Sequence, residues 1–254
     1  MHSPRVSIIT SLYNADDQIE DFLEDIVKQT YFDKCELVII DGASPGEESD
    51  VIAKYQKQYS NILYLRLEED PGIYGCWNYA IENSSGDYLT NANVDDRRAY
   101  NQIERFVSAL DSDAGLDLAY SHTFVTHKPY ETFYQNSSGY QMYPSFPFSK
   151  EMMVKCLPGC QPLWRRAMHK KAGLFDDSYK FAGDWEMWLR AVRNGSRFMM
   201  IEGVYGLYYH NPTGLTTDPK KRKHKFLEEK KVFWEYTDVY GQKAVAQYGE
   251  HFKR

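Results

Sequence analysis

The feature that most limits the fold of this chain is an alternation of apolar β-branched runs and amphipathic helical segments through its first 98 residues. The run VSIIT at 6–10 is typical of a strand buried on both faces, and ELVIIDGAS, NILYLRLEED and DYLTNAN are further strand candidates. Between the first two strands, apolar residues recur at helical spacing: Ile19, Phe22, Leu23, Ile26 and Val27. Ile52, Tyr55 and Tyr59 indicate a second helix, and IYGCWNYAIENSSG a third that should end at Gly86. This order predicts an α/β fold with a doubly wound, mostly parallel sheet.

The pattern is weaker beyond residue 100. A helix over about 100–110 and a strand in LDLAYSHTFVT are expected, followed by an aromatic segment at 127–150 that is typical of a mobile or substrate-covering loop. In DWEMWLRAVRNG the apolar residues share one helix face, and Gly195 stands where a helix ends. These face residues are Trp185, Trp188, Leu189 and Val192. A last strand should end at His210.

Composition excludes several classes. The net charge of −6 argues against a general nucleic-acid binder, and no apolar run reaches the roughly 18 residues of a membrane helix. The N-terminus lacks a signal-peptide cleavage site, and the four cysteines form no double CxxC pattern, so we expect a reduced, cytoplasmic protein. The segment KKRKHK in the tail is either a solvated surface or a peripheral contact with anionic lipid at the inner face of the membrane.

Polar clusters follow four successive predicted strands: Ser11–Asn14, Asp41–Ser44, Asp70–Gly72 and Asn93–Asp96. In doubly wound sheets, ligands bind beyond the carboxyl ends of the strands. The clusters therefore predict a polar ligand at this edge.

The adjacent carboxylates of Asp95 and Asp96 need a compensating charge. Either Arg97 and Arg98 provide it, or a divalent cation and a polyphosphate do. Mg²⁺ and Mn²⁺ suit such oxygen ligands. The sequence has no GxxxxGK[ST] or GxGxxG motif, so neither a P-loop enzyme nor a Rossmann dehydrogenase is supported.

Several of these segments together resemble one known family. The stretches VSIITSLYNADDQIEDFLEDIVKQTYFDKCELVIIDGAS, EDPGIYGCWNYAIENSSGDYL, NVDD, FDDSYKFAGDWEMWLR and YHNPTG are similar to family 2 glycosyltransferases of the GT-A fold, over residues 4–215. The resemblance implies a GT-A domain at 1–215, with a nucleotide-sugar-binding half at about 1–98 and an acceptor-side half at 99–215. Residues 216–254 lie outside it, as a basic and aromatic helical tail that would dock a partner or a further domain.

The resemblance also implies a donor site for a UDP- or GDP-linked sugar. Asp41 would bind the base, and Asp95 would bind Mn²⁺ or Mg²⁺ as the third position of a DxD-like motif. His210 would approach the metal or the diphosphate, and Asp96 is either a second ligand or a brace for the loop. The remaining donor-binding residues implied in this way are Ser11, Tyr13, Asn14, Asp70, Gly72, Asn78, Asn93 and Val94.

On the acceptor side, the resemblance implies that Asp184 is the general base of an inverting transfer, with Phe181 and Trp185 as an apolar wall. Position alone fits a helix N-cap equally well for Asp184. Gln161 and Trp185 are the implied acceptor contacts, Trp185 being equally a core residue, and Glu186 is expected to be a surface charge.

The implied function is transfer of one sugar per encounter to a glycan, glycoconjugate or lipid-linked acceptor, in bacterial surface polysaccharide synthesis. The chain lacks the QxxRW segment of processive synthases. Two other functions stay open: a nucleotidyltransferase that makes sugar nucleotides, and a non-catalytic sugar- or nucleotide-binding module.

Overall fold

The structure, a computed structural model, describes residues 3–136 and 141–253. Its strands are β1 (Val6–Leu12), β2 (Cys35–Asp41), β3 (Ile62–Arg66), β4 (Tyr88–Asn91), β5 (Arg97–Arg98), β6 (Leu118–Thr126), β7 (Met142–Tyr143), β8 (Leu163–Arg165) and β9 (Phe198–Tyr209). Its helices are α1 (Ile19–Val27), α2 (Glu48–Gln56), α3 (Gly72–Glu82), α4 (Gln102–Ser112), α5 (Met168–Ala172), α6 (Gly183–Arg193), α7 (Arg222–Glu235) and α8 (Thr237–Tyr248). Short 3₁₀ turns occupy Phe32–Lys34, Phe133–Gln135, Glu151–Val154, Pro219–Lys221 and Gly249–Phe252.

The strands form one mixed sheet in the order β3-β2-β1-β4-β8-β6-β9-β5, with β7 beside β6. The first four strands are parallel, as predicted. β8 runs antiparallel to both β4 and β6, and β9 runs parallel to β6. The predicted α/β class with a mostly parallel central sheet is therefore confirmed.

Both faces of the sheet are buried under apolar clusters. Alternate residues of a strand point to opposite sides, so neighbouring residues belong to different clusters. Ile8 and Ile39 belong to an apolar cluster with residues of α1 and α4, whereas Ile9 and Val38 belong to a second cluster with residues of α3 and α6. The second cluster also contains tail residues, namely Val232, Phe233, Tyr236, Val239, Tyr240, Ala244 and Phe252. The described part of the tail thus packs on the same core as α6.

Three local predictions are wrong. α3 ends at Glu82 rather than at Gly86, and Gly86 instead allows a close approach, since a Cβ there would lie 2.6 Å from the backbone nitrogen of Ser7. Tyr59 lies outside α2, with its ring edge-on to Phe32. Glu186 is buried rather than on the surface, because Arg190 forms a 2.8 Å ion pair with it and the Tyr236 hydroxyl donates to it.

The predictions for α6 are confirmed. The four apolar face residues of α6 are buried, and Gly195 has a left-handed φ of 89° directly after the helix cap Asn194. In the aromatic segment at 127–150, the short strand β7 pairs with β6, and residues 137–140 lie outside the described residues. Across residues 3–136 and 141–253, no helix is both long and apolar enough to cross a bilayer.

A buried arginine links the two parts of the sheet below the edge where the polar clusters lie. The Arg98 guanidinium donates to the carbonyl oxygen of Asn91 in β4 at 2.8 Å and to Thr90 Oγ1 at 3.3 Å, while β5 itself pairs with β9. Its backbone N–H donates to Asp25 of α1, and burial raises the pKa of that carboxyl to about 6. Arg98 is 1% exposed, so its charge must be balanced from within the protein.

We expect Arg98→Met to lower the free energy of unfolding by about 3–5 kcal/mol, because it leaves buried carboxylates uncompensated. Urea unfolding followed by circular dichroism measures the loss. Lys253→Met, which removes an exposed ion pair with Glu250, is the control and should cost less than about 1 kcal/mol. Equal losses in both variants would contradict this account of Arg98.

Candidate active site

The polar clusters that follow β1 and β2 lie side by side. Leu12 at the end of β1 pairs with Asp41 at the end of β2, and the backbone N–H of Asn14 donates to Ser44 Oγ at 3.1 Å. Asn14 has a left-handed φ of 51°, a conformation that asparagine tolerates better than most residues. Tyr13 is 55% exposed at this edge and leaves a ring face free for a planar ligand. Ser11, the remaining predicted donor residue of this strand, is half-buried in β1.

Asp41 is fully buried and already holds three donors of the protein. Its carboxylate accepts from the Tyr64 hydroxyl at 2.5 Å, from Arg66 at 2.6 Å and from the Ser44 N–H at 2.7 Å. Burial alone would raise the pKa of Asp41, but these hydrogen bonds and the charge of Arg66 outweigh it, so the pKa is lowered. Sequence analysis missed Tyr64 and Arg66, whose only signal was their position at the end of the strand next to β2.

The loop before α3 packs against the end of β2. Asp70 accepts from the N–H of Gly72 at 2.8 Å, and a Cβ on Gly42 would lie 2.7 Å from the same carboxylate oxygen. Gly72 has a φ of 79°, which a residue with a side chain would adopt only with strain. Asn78, by contrast, binds both the carbonyl and the N–H of Phe175, so its amide holds the segment before α6 to α3.

The acidic loop that follows β4 holds its two carboxylates differently. Asp96 is buried and accepts from Asn93 Nδ2 and from the N–H of Tyr209, both at 3.1 Å. Burial and the neighbouring charge of Asp95 raise the pKa of Asp96. Asp95 is half-buried and forms no ion pair within the described ranges, and burial raises its pKa as well. Asp95 is thus the carboxylate of this loop that is left for a ligand.

The two arginines of this segment do not pair directly with these carboxylates. Arg97 donates to the carbonyl oxygens of Val94 and Asp96, both at 2.8 Å, and Arg98 points toward β4. The positive charge of Arg97 lowers the pKa values of both carboxylates only in part, against the larger effect of burial. The sequence offered two sources of positive charge for these carboxylates, the arginines or a divalent cation. The arginines supply only part of this charge, so the remainder is left for a cation.

The end of β9 brings His210 to the acidic loop, because the preceding Tyr209 N–H binds Asp96. The ring of His210 lies 5.0 Å from that of His127, which no sequence motif marked. In the part of the chain that the structure describes, no group of three or more His, Cys, Asp or Glu side chains is arranged to hold a metal. Asp95 fits Mg²⁺ or Mn²⁺ nevertheless, because such ions commonly take one or two carboxylates and complete their shell with substrate phosphates and water.

Asp184 lies in the first turn of α6 and is not its N-cap, which is Ala182. Its carboxylate accepts from the Trp185 N–H at 2.8 Å and from the Tyr74 hydroxyl at 3.2 Å, and the Cys156 thiol lies 3.8 Å away. Burial raises the pKa of Asp184 despite these hydrogen bonds. Within the described ranges no cation pairs with it. Tyr74 and Cys156, which sequence analysis missed, thus surround the carboxylate.

The two predicted acceptor contacts are buried side chains with partners inside the protein. Trp185 is 6% exposed and donates its indole N–H to the carbonyl oxygen of Met153 at 2.8 Å. Gln161 is 4% exposed, donates to the carbonyl oxygen of Arg97 at 3.1 Å and accepts from Gln102. Both residues support the walls of the site in this arrangement.

A recess of about 500 Å³ is lined by the predicted donor residue Asn78 but not by Asp41, Asp95 or Asp184. Its lining includes the carboxylates of Glu68, Glu69, Glu82 and Asp177. Because these like charges would repel a diphosphate, the recess is a poor match for the donor.

Comparison with known proteins identifies the family. The profile described as "Glycosyl transferase family 2" matches residues 7–170. An uncharacterized glycosyltransferase of Rickettsia typhi is 26% identical over 242 residues, which cover 92% of this chain and 71% of the relative. The putative colanic acid biosynthesis glycosyl transferase WcaA of Escherichia coli is 24% identical, over 88% of this chain and 82% of WcaA.

Solved structures share the fold. S. aureus TarS 1–349 in complex with UDP superimposes with a TM-score of 0.69 at 17% identity, over 94% of this chain and 68% of that one. The mannosyltransferase PcManGT from Pyrobaculum calidifontis, in complex with GDP-Man and Mn²⁺, gives a TM-score of 0.65 at 15% identity, over 98% and 76%. Since the family profile spans more than half of the chain and the fold agrees, this protein belongs to glycosyltransferase family 2 and has the GT-A fold.

Proposed function

We propose that this enzyme transfers a sugar from a UDP- or GDP-sugar to a hydroxyl of a glycan or glycoconjugate acceptor, with inversion and with Mn²⁺ or Mg²⁺ bound. The observation that carries the proposal is the environment of Asp184: a half-buried carboxylate with a raised pKa and no cation partner within the described ranges. A structural carboxylate is usually neutralised by partners, as Glu186 is by Arg190 and Tyr236, whereas a general base must keep its charge available.

The relatives support the donor class and the cellular role. TarS binds UDP and PcManGT binds GDP-Man with Mn²⁺, which favours a nucleotide diphosphate donor and a divalent cation here too. WcaA is named for colanic acid biosynthesis, which favours a role in bacterial surface polysaccharide synthesis.

The donor would bind across the ends of β1, β2 and β4. Tyr13 would stack on the base of the nucleotide. Asp41 would recognise this base together with Arg66, because Arg66 donates a hydrogen bond to the Asp41 carboxylate. Asp95 would hold the cation, with His210 near the diphosphate. The cation, when bound, supplies stabilisation of the charge on the departing diphosphate.

On the acceptor side, Asp184 would accept the proton of the attacking hydroxyl. The hydroxyl oxygen forms a bond to the anomeric carbon as the bond from that carbon to the diphosphate oxygen breaks, so the configuration at the anomeric carbon inverts. A raised pKa makes the carboxylate a stronger base. General-base catalysis is more efficient when the pKa of the base lies closer to the operating pH. The Tyr74 hydroxyl and the Trp185 N–H, both bound to Oδ1, fix the direction of the carboxylate.

We expect Asp184→Asn to reduce sugar transfer by about 10²–10⁴-fold, because the amide cannot take up the proton. Release of UDP or GDP from a panel of sugar nucleotides with simple glycoside acceptors measures it. Asp177→Asn removes an exposed carboxylate of the segment before α6 and should leave the rate unchanged. A fully active Asp184→Asn variant would exclude this role.

The same substitution should raise stability at neutral pH. A carboxyl whose pKa is raised by folding favours the folded state below its unfolded pKa, and this contribution is lost as pH rises through the folded pKa. We therefore expect Asp184→Asn to have a higher Tm than wild type at pH 7–8, with the difference disappearing as pH falls toward about 4. Differential scanning calorimetry across this pH range tests the sign, and a lower Tm of the variant at pH 7–8 would contradict it.

Metal-dependent donor binding gives a further test. A nucleotide diphosphate at 100 times its Kd should stabilise wild type by about 2.7 kcal/mol with Mn²⁺ present. We expect Asp95→Ala to lose this stabilisation and Asp177→Asn to keep it, as measured by thermal shift. If the nucleotide shifts the Tm of Asp95→Ala as much as that of wild type, Asp95 is not a ligand of the metal.

A further inference from the structure

The segment that leads into α6 is held by a side chain of the tail. Three consecutive backbone N–H groups, those of Lys180, Phe181 and Ala182, converge on the carboxylate of Glu228 in α7. Phe181 donates at 2.7 Å and Ala182 at 3.1 Å to one oxygen, and Lys180 donates to both oxygens at 2.9 and 3.1 Å. Glu228 is half-buried at this contact.

This carboxylate binds the backbone that leads into α6, at a helix start that no local side chain caps. Ala182, the N-cap of α6, has no side-chain oxygen, and no side chain of the segment caps the helix. Free N–H groups and the positive end of the helix dipole favour an anion at this position. Glu228 supplies this anion to Ala182, although it lies 46 residues further along the chain. Ala182 itself lies two residues before Asp184.

α7 is itself fixed on the core, so the position of Glu228 is fixed too. Val232 and Phe233 are fully buried one turn further along α7, and Tyr236 at its end donates to Glu186 of α6. The adjacent Glu229 lies within electrostatic range of Asp184. Burial raises the pKa of Glu229, and the charge of Asp184 raises it further.

We propose that Glu228 is a positioning residue, through which the C-terminal tail holds the 180–182 backbone and thereby the carboxylate of Asp184 in its catalytic orientation. The inference rests on the proposed role of Asp184 as general base. It extends the working active site beyond the span of the family profile, which ends at residue 170. The donor-binding residues lie on other elements, so Glu228 acts on turnover rather than on donor affinity.

The test compares Glu228→Ala, Glu228→Gln and the control Glu235→Gln, which removes an exposed carboxylate of the same helix. We expect Glu228→Ala to lower kcat by up to about 100-fold with the donor KM unchanged, because a small misplacement of a catalytic group is sufficient for such a loss. Glu228→Gln keeps one acceptor oxygen and should recover part of kcat. Hydrogen exchange at the Lys180–Ala182 amides should become faster in Glu228→Ala and not in Glu235→Gln.

Each outcome has a defined meaning when Asp184→Asn is measured in the same assay. If Asp184→Asn is inactive while Glu228→Ala keeps its kcat, the positioning role is wrong. The same conclusion follows if Glu235→Gln loses as much kcat as Glu228→Ala, or if the donor KM rises in proportion. If wild type transfers no sugar, or Asp184→Asn is as active as wild type, the proposed function fails instead. Amide exchange then decides alone whether Glu228 holds this segment.

Discussion

The site depends on how the protein tolerates negative charge at one end of its sheet. Asp95 and Asp96 stand next to each other after β4, and burial makes both carboxylates costly. The protein offsets part of this cost with two buried arginines whose hydrogen bonds go to backbone carbonyls rather than to these carboxylates. Arg98, in β5, also contacts α1 and β4. The same residue therefore contributes both to the charge balance and to the connection between the two parts of the sheet.

Three aspartates of the candidate site show how different environments act on one residue type. Asp41 is surrounded by donors and has a lowered pKa, so its carboxylate is fixed in one orientation. Asp95 keeps no ion pair within the described ranges, which suits a residue that shares a cation with a diphosphate. Asp184 has a pKa raised by burial and only neutral donors around it, which suits a base. The different hydrogen-bond partners and burial of these carboxyls therefore support the roles proposed for them.

The tail has a structural role that composition did not reveal. KKRKHK and the charged residues around it are typical of a solvated surface, yet α7 also contributes Val232 and Phe233 to the core next to α6. Glu186 and Glu228 form a reciprocal link: Glu186 of α6 accepts from Tyr236 of α7's C-terminal cap, and Glu228 of α7 accepts from the backbone before α6. α7 and its C-terminal cap thus contact both α6 and the backbone that leads into it.

The local sequence pattern was sufficient to predict the helices and strands and the edge of the sheet at which polar residues lie. Apolar spacing predicted β1, α1 and the buried face of α6, because side-chain periodicity follows directly from backbone geometry. Turn and cap chemistry was less certain, and the end of α3 was misplaced because Gly86 serves a close contact with Ser7 instead.

Only the tertiary structure decided which charged groups are paired, buried or free. Tyr74 reaches Asp184 across 110 residues, Tyr64 and Arg66 reach Asp41 from the neighbouring strand, and no sequence motif announces these contacts. The sequence by itself determined the α/β order, the family resemblance and the acidic residues at the strand ends. The pKa of each acid was left to the fold, because burial and hydrogen bonding depend on partners that are distant along the chain.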